Sequence, residues 1–334
     1  MDTTNQTLTA IAGVAVGHDT DLENLTGVTV IRFADPGAVA GVSVMGSAPG
    51  TRETDLLEPT NLVDTVNAIV LTGGSAFGLA SATGVVSTLE NQGSGLEVAN
   101  DQVVPIVPAA VIFDLGVGNP KVRPDAASGE RAIHNANDEP VPMGNVGAGA
   151  GATVGKLMGG ARATKGGLGS ALVSVPGGKL VGCLVVVNAV GEVRDPSNGT
   201  TLAGIRGDQK GEFLSSVDAI TGGLTSDVLP GTNTTIAAIV TNVSMTKTQL
   251  TKVAQMAHDG MARAINPVHT QFDGDTVFAA SIKTSPIESD LSPADSVNQI
   301  GTAAAEALAQ AIVLAVKHAE TTDNIPSGDA WRTS

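Results

Sequence analysis

The stretch "LPGTNTTIAAIVTN" (residues 229–242) sets a loose turn of small polar residues directly against an apolar run. Two adjacent threonines, Thr234 and Thr235, follow Asn233, and "IAAIV" then carries no polar residue on either face. Such a run suits a strand covered on both sides, by helices or by a second sheet. The turn before it is either a connector or a place where the chain is cut.

The same character recurs along the chain. "TVIRFAD" from Thr29, "AVAGVSVMG" from Ala38, "NAIVLTGG" from Asn67, "PAAVIFDLG" from Pro108, "KLVGCLVVVNAVGEV" from Lys179 and "DTVFAASI" from Asp275 all read as Val- and Ile-rich strands. Between them lie helical patterns. In "MTKTQLTKVAQMAHDGMARAI" the residues Leu250, Val253, Ala257, Met261 and Ala264 step by three and four, one stripe on a helix. A second helix starts at "SPADSV", with Ser292 as N-cap, Pro293 at the first helical position and Asp295 completing the cap. "TGGSAFGLASATGVVSTLE" reads as a Gly turn entering a helix, and "GNVGAGAGATVGKLMGG" as a Gly-rich loop feeding another. No linker divides the 334 residues, although "AITGGLTSDVLPGTN" from Ala219 reads as a flexible surface loop.

Composition narrows the partners. A net charge of -15 repels a phosphate backbone, and 2% aromatic residues leave few rings for base stacking, so nucleic acid is not an expected partner. Cys183, the single cysteine, sits in "GCLVVV" as a small buried hydrophobe. No apolar segment approaches the roughly 20 residues that span a bilayer, so no membrane partner is expected. The N-terminus has no basic residue ahead of its short apolar part, so a cytoplasmic location is expected.

Several nucleotide and metal motifs fail on inspection. "AGATVGKL" has Ala150 where a phosphate loop needs Gly and Leu157 where it needs Ser or Thr. Its glycines are better read as a close backbone approach. The five histidines fall in no paired helical spacing and there is one cysteine, so no metal and no cofactor is expected. "GGSAFG" around Ser75 misses the nucleophile-elbow pattern by one residue, and helix capping is the expected role of Ser75. "FDGDTVF" places Asp273 and Asp275 at the mouth of an apolar strand, either as a solvated turn or as a carboxylate pair that holds an amine. Asn188 ends the apolar run "VVVNAVG", where a buried amide must find partners, in a turn or on an oxyanion.

Taken in order, "GVAVGHDTD", "APGTRETDLL", "LTGGSAFGL", "AVIFD", "GAGATVGKLMGG", "TKGGLGSA", "VVVNAVG", "NTTIAAIVTNV" and "HTQFDGDTVFA" resemble the motifs of one self-cleaving hydrolase family. It contains the L-aminopeptidase/D-esterases, the beta-peptidyl aminopeptidases and the 6-aminohexanoate-oligomer (nylon oligomer) hydrolases. The resemblance implies an α/β fold, a four-layer αββα sandwich with two mixed sheets, and no cofactor. It implies that residues 1–334 form one self-processing unit cut between Asn233 and Thr234, into 1–233 and 234–334, which stay together. Thr234 would be the nucleophile, its new α-amine the base, Asp273 and Asp275 the groups that orient that amine, Lys156 an electrostatic aid, and Asn188 a holder of the oxyanion.

The expected substrate is a small peptide, an amino-acid amide or a 6-aminohexanoate oligomer, and the expected assembly a homo-oligomer. Phe113 in "AVIFD" and Phe77 in "GGSAFG", both expected in the substrate pocket, stand where the family commonly has tyrosine: Phe113 keeps the ring but loses a phenolic donor, which bears on catalytic strength or substrate range, and Phe77 implies a more apolar pocket. The threonine nucleophile is most similar to that of the nylon-oligomer hydrolases. An acyltransferase of the ornithine acetyltransferase type and a catalytically silent member of the fold are the alternatives.

Overall fold

The computed structural model describes residues 5–98, 102–224, 231–322 and 324–333. Leu229 and Pro230 of the opening stretch, and the middle of the surface loop expected from Ala219, lie outside them. Among the described residues, the two main sheets are built on β1 Val14–Asp21, β2 Thr26–Phe33, β3 Ala38–Val44, β4 Ala68–Thr72, β5 Ala109–Val111, β6 Gly167–Val175, β7 Lys179–Asn188, β8 Thr234–Thr241 and β9 Thr276–Ile282. The helices are α1 Ser81–Asn91, α2 Ala126–His134, α3 Ser216–Thr221, α4 Lys247–Ala264, α5 Pro293–Lys317 and α6 Gly328–Thr333.

The first sheet runs β1-β2-β4-β5 and ends on the two-residue strand Thr51–Arg52; the second runs β6-β7-β8-β9-β3 and ends on Thr65–Val66. Both are mixed: β4 and β5 are parallel in the first, β8 and β9 in the second, and the other neighbours are antiparallel. Alternation along each strand sorts its residues into layers. On β2 and β4, Val30 and Val70 pack with Val85 and Leu89 of α1 and Ile133 of α2, on the outer side of the first sheet. Their neighbours Ile31 and Leu71 pack instead with Ile236, Ala238 and Phe278 of the second sheet. The opposite face of that sheet, with Ala237, Ile239 and Val277, packs on Leu250 and Met261 of α4 and Leu308 of α5. Helix, sheet, sheet, helix is therefore the order of layers, the αββα sandwich expected.

The α4 stripe read from the sequence is buried at all five positions. Its start has a full capping box, Thr246 with Gln249, and Ser292 caps α5 ahead of Pro293. Lys247, one residue into α4, donates to the carbonyls of Leu56, Asn61 and Val63 at 3.0, 2.9 and 2.7 Å and pins that loop.

Three expectations are corrected. "GNVGAGAGATVGKLMGG" forms no α-helix: it makes a 3-10 turn at Gly147–Gly149 and a two-residue strand at Thr153–Val154. A Cβ on Gly151 would lie 2.1 Å from the Leu25 carbonyl oxygen, so the glycines serve close backbone approach. Ser75 caps no helix with its side chain; it opens the 3-10 turn Ser75–Ala80 at φ +54°, and its N–H donates to Ile112. Finally, α5 has the length and apolar composition to cross a membrane, which the sequence reading denied to every segment, but its apolar residues are buried against α4 and the second sheet.

The α4–α5 contact yields a prediction. A Cβ on Gly260 would sit 2.0 Å from the Ala305 carbonyl oxygen. Gly260→Ala gains about 1 kcal/mol of helix propensity, yet overpacking costs about 1–3 kcal/mol. The net outcome expected is a lower urea midpoint; a midpoint at or above wild type would show that the two helices move apart freely.

Candidate active site

Strand directions bring the chemistry together. Because β7 runs antiparallel to β8 and β9 parallel to it, the end of β7, the start of β8 and the loop entering β9 meet at one end of the second sheet. Asn188 is paired with Thr234 across β7–β8, and Asn233 bridges to Asp273. Asn188, Asn233, Thr234, Asp273 and Asp275 are all buried.

The Thr234 hydroxyl donates to the carbonyl of Asn233, and the Gly274 N–H donates to the same oxygen at 2.9 Å. The peptide oxygen between the two residues thus carries two donors. A backbone N–H aimed at a carbonyl oxygen is the kind of donor from which oxyanion holes are built. Gly274 has no room for a side chain: a Cβ would lie 2.7 Å from the Ala48 carbonyl oxygen and 3.0 Å from Thr234 Oγ1.

Asp275 accepts from the Thr235 N–H through Oδ1 at 2.6 Å and from the His269 N–H and Nδ1 through Oδ2 at 3.1 and 2.8 Å. Asp273 accepts from the Thr270 N–H and hydroxyl at 2.9 and 2.6 Å. Burial, and then the neighbouring Asp275, raises the Asp273 pKa to about 6. The loop at residues 45–48 braces both, with Met45 and Gly46 donating to the Asp275 carbonyl and Ala48 to that of Asp273.

Lys156 donates to the Asn188 backbone and side-chain oxygens at 2.9 and 2.7 Å. Burial pulls its pKa down to about 7, against the pull of Asp273 and Asp114. Behind it, Lys165 is fully buried on the carbonyls of Ala150 and Ala152 at 2.7 and 2.8 Å, and burial takes it to about 7 as well. Asp114, facing Lys165, accepts from Thr26 and Gly74 at 2.7 Å each, and burial raises its pKa.

Thr234, Asp273, Asp275, Lys156 and Asn188 therefore lie together. Asn188 has one amide hydrogen on the Phe113 carbonyl at 3.1 Å and its oxygen on Thr153 and Lys156, so it ties two segments, the one at Phe113 and the loop 153–156, to the site. Phe113 reaches the site by this backbone contact. Phe77 is 59% exposed, with the Arg123 guanidinium 3.9 Å above its ring. Gly274 and His269 went unread: the first looked like a turn glycine, the second like an isolated histidine, although both lie in "HTQFDGD". Among the described residues no three His, Cys, Asp or Glu side chains converge to hold a metal.

The sequence profile described as peptidase family S58 matches residues 6–327. An uncharacterized aminopeptidase of Mycobacterium leprae is 39% identical over 96% of this chain and 92% of its own. A 6-aminohexanoate-oligomer endohydrolase of Agromyces is 34% identical over 80% of this chain and 73% of its own. Among solved structures, the L-aminopeptidase D-Ala-esterase/amidase of Ochrobactrum anthropi, a variant of the Ntn hydrolase fold, superposes with a TM-score of 0.70 at 19% identity, covering 96% and 89% of the two chains. A Burkholderia beta-aminopeptidase superposes with a TM-score of 0.65 at 23% identity, covering 95% and 88%.

The buried lysines make stability depend on pH. Lys165 titrates at about 7 in the fold against 10.5 when exposed, so within that window the unfolded chain binds a proton the folded chain lacks. Its contribution is full above 10.5 and lost as pH falls to about 7. Stability should rise from pH 7 towards pH 10, and Lys165→Met should make the rise shallower. Equal slopes in urea titrations of the two proteins would show that the buried amine stays charged.

Proposed function

The chain belongs to peptidase family S58 and is an aminopeptidase or amidase of the N-terminal-nucleophile fold; on that premise we propose that it activates itself by cutting the Asn233–Thr234 bond and then uses Thr234 as nucleophile. The observation that carries this reading is the shared carbonyl: the Thr234 hydroxyl and the Gly274 N–H both rest on the Asn233 oxygen.

In the first step the Thr234 oxygen attacks the Asn233 carbonyl carbon. The Gly274 N–H holds the developing oxyanion, and the Thr234 nitrogen takes a proton as the C–N bond breaks. The amide becomes an ester, which water opens to free a carboxylate and an N-terminal threonine. Asp273 near 6 and Lys156 near 7 are a carboxyl and an amine able to exchange a proton at neutral pH. Afterwards the α-amine, with an ordinary pKa of about 7.7–8.0, serves as base for the same hydroxyl. Asp273 and Asp275 hold that amine; the Thr234 oxygen attacks the substrate carbonyl, the α-amine passes the hydroxyl proton to the substrate nitrogen as the C–N bond breaks and the amine leaves, and water then opens the ester to release the acid. The substrates proposed are small peptides, amino-acid amides or short 6-aminohexanoate oligomers, the last because relatives bear that activity in their names.

Thr234→Ala should give one uncut chain with no turnover, and Thr234→Ser should keep partial cutting, both read by denaturing gel and intact mass. Cutting of the alanine variant at the same bond would sink the proposal. Asp273→Asn should lower kcat roughly 10²- to 10³-fold, the size of one preorganised electrostatic contact, with circular dichroism unchanged. Wild-type kcat in that variant would return Asp273 to a structural turn.

A further inference from the structure

His269 and His258 form a pair that the steps above do not use. His258 projects from α4 and His269 lies on the loop before Asp273; their rings meet edge to face with centroids 4.7 Å apart. The hydrogen positions follow from the partners. His258 Nε2 contacts the Ser43 carbonyl, which only accepts, so Nε2 carries the hydrogen. His269 Nδ1 contacts the Asp275 carboxylate, so Nδ1 carries its hydrogen. The two remaining nitrogens, His258 Nδ1 and His269 Nε2, are buried without a partner among the described residues. Burial also pulls His258 down to about 4.

His269 adopts φ +57°, a left-handed conformation that costs a non-glycine residue about 1 kcal/mol or more. In that conformation its backbone N–H and its ring N–H both reach the same oxygen of Asp275. The other oxygen is thereby left to the Thr235 N–H, one residue from the nucleophile.

We infer that His269, braced by His258, is a positioning residue: it fixes the Asp275 carboxylate so that Asp275 holds the backbone next to Thr234. This rests on the reading of Thr234 as nucleophile. Once the Asn233–Thr234 bond is cut, Thr234 loses its covalent neighbour on one side. The bond from Thr235 to Asp275 then holds the new terminus in place. A misplacement of about 1 Å at a reacting group costs on the order of 10²-fold in rate.

The test compares His269→Asn with His269→Leu. Asparagine accepts the left-handed backbone and offers an amide N–H near the position of Nδ1; leucine offers neither. His269→Asn should keep kcat on an amino-acid amide within about threefold of wild type. His269→Leu should lose roughly 10- to 10²-fold in kcat, with KM within about twofold, and should slow self-cutting on the gel. If the leucine variant does not fold, His269→Ala replaces it with the same expectation. Wild-type kcat in the leucine or alanine variant, or equal impairment in the asparagine variant, overturns the assignment. Cutting of Thr234→Ala would overturn the nucleophile reading instead, whatever the His269 variants do.

Discussion

The hydrogen bond from the Gly274 N–H to the Asn233 carbonyl fixes the geometry of everything around it. It joins the residue before β8 to the loop that enters β9, and so aligns two parallel strands at the end where the polar residues gather. β8 is buried along its whole length, so the segment before it cannot drift without disturbing the core. A peptide bond held this rigidly, with a hydroxyl on its own oxygen, is unlike an ordinary loop bond. In the proposed self-cleavage, such rigid placement is what would let a weak nucleophile reach a normally inert amide.

Around this bond the protein keeps several charges out of water. Asp114, Lys165, Lys156 and Asp273 are linked through their mutual fields, and burial shifts each towards its neutral form. Pure desolvation would be a liability; here it brings an amine and a carboxyl to the pH range where both trade protons easily. The backbone carbonyls of Ala150 and Ala152 and the amide of Asn188 supply the hydrogen bonds that make such burial tolerable.

Much of this was legible in the sequence, for a physical reason. Strands buried on both faces are apolar on both faces, so β2, β7, β8 and β9 stood out, and a polar residue at their ends, such as Asn188 or Thr234, stood out with them. Strand β6 did not: "GLGSALVSV" interrupts its leucines and valines with Gly167, Gly169, Ser170 and Ala171, and α5 lies so close over it that a Cβ on Gly169 would meet the Ala311 carbonyl oxygen at 2.0 Å. β1, with Gly17, His18 and Asp19, and α2, with its mixed surface, carry too few apolar residues for a clear period. Within the site, side-chain chemistry could be read and backbone chemistry could not. Gly274 acts through an N–H that every residue but proline has, and His269 through a contact set by a left-handed turn.

The order of strands in the second sheet carries one more consequence. β8 and β9 sit between β7 and β3, so residues after 234 supply the middle of the sheet and residues before it supply both flanks. Cutting ahead of Thr234 would leave two chains interleaved through one hydrogen-bonded ladder, sharing the core between the two sheets and the core under α4 and α5. Folding would then be possible as a one-chain process only before the cut. Once unfolded, the mature protein would have to reassemble by a second-order encounter, with a midpoint that depends on concentration. If the proposed cut occurs, such a molecule would record its own history: the contiguous chain would be needed to make the structure, and the finished structure would no longer contain it.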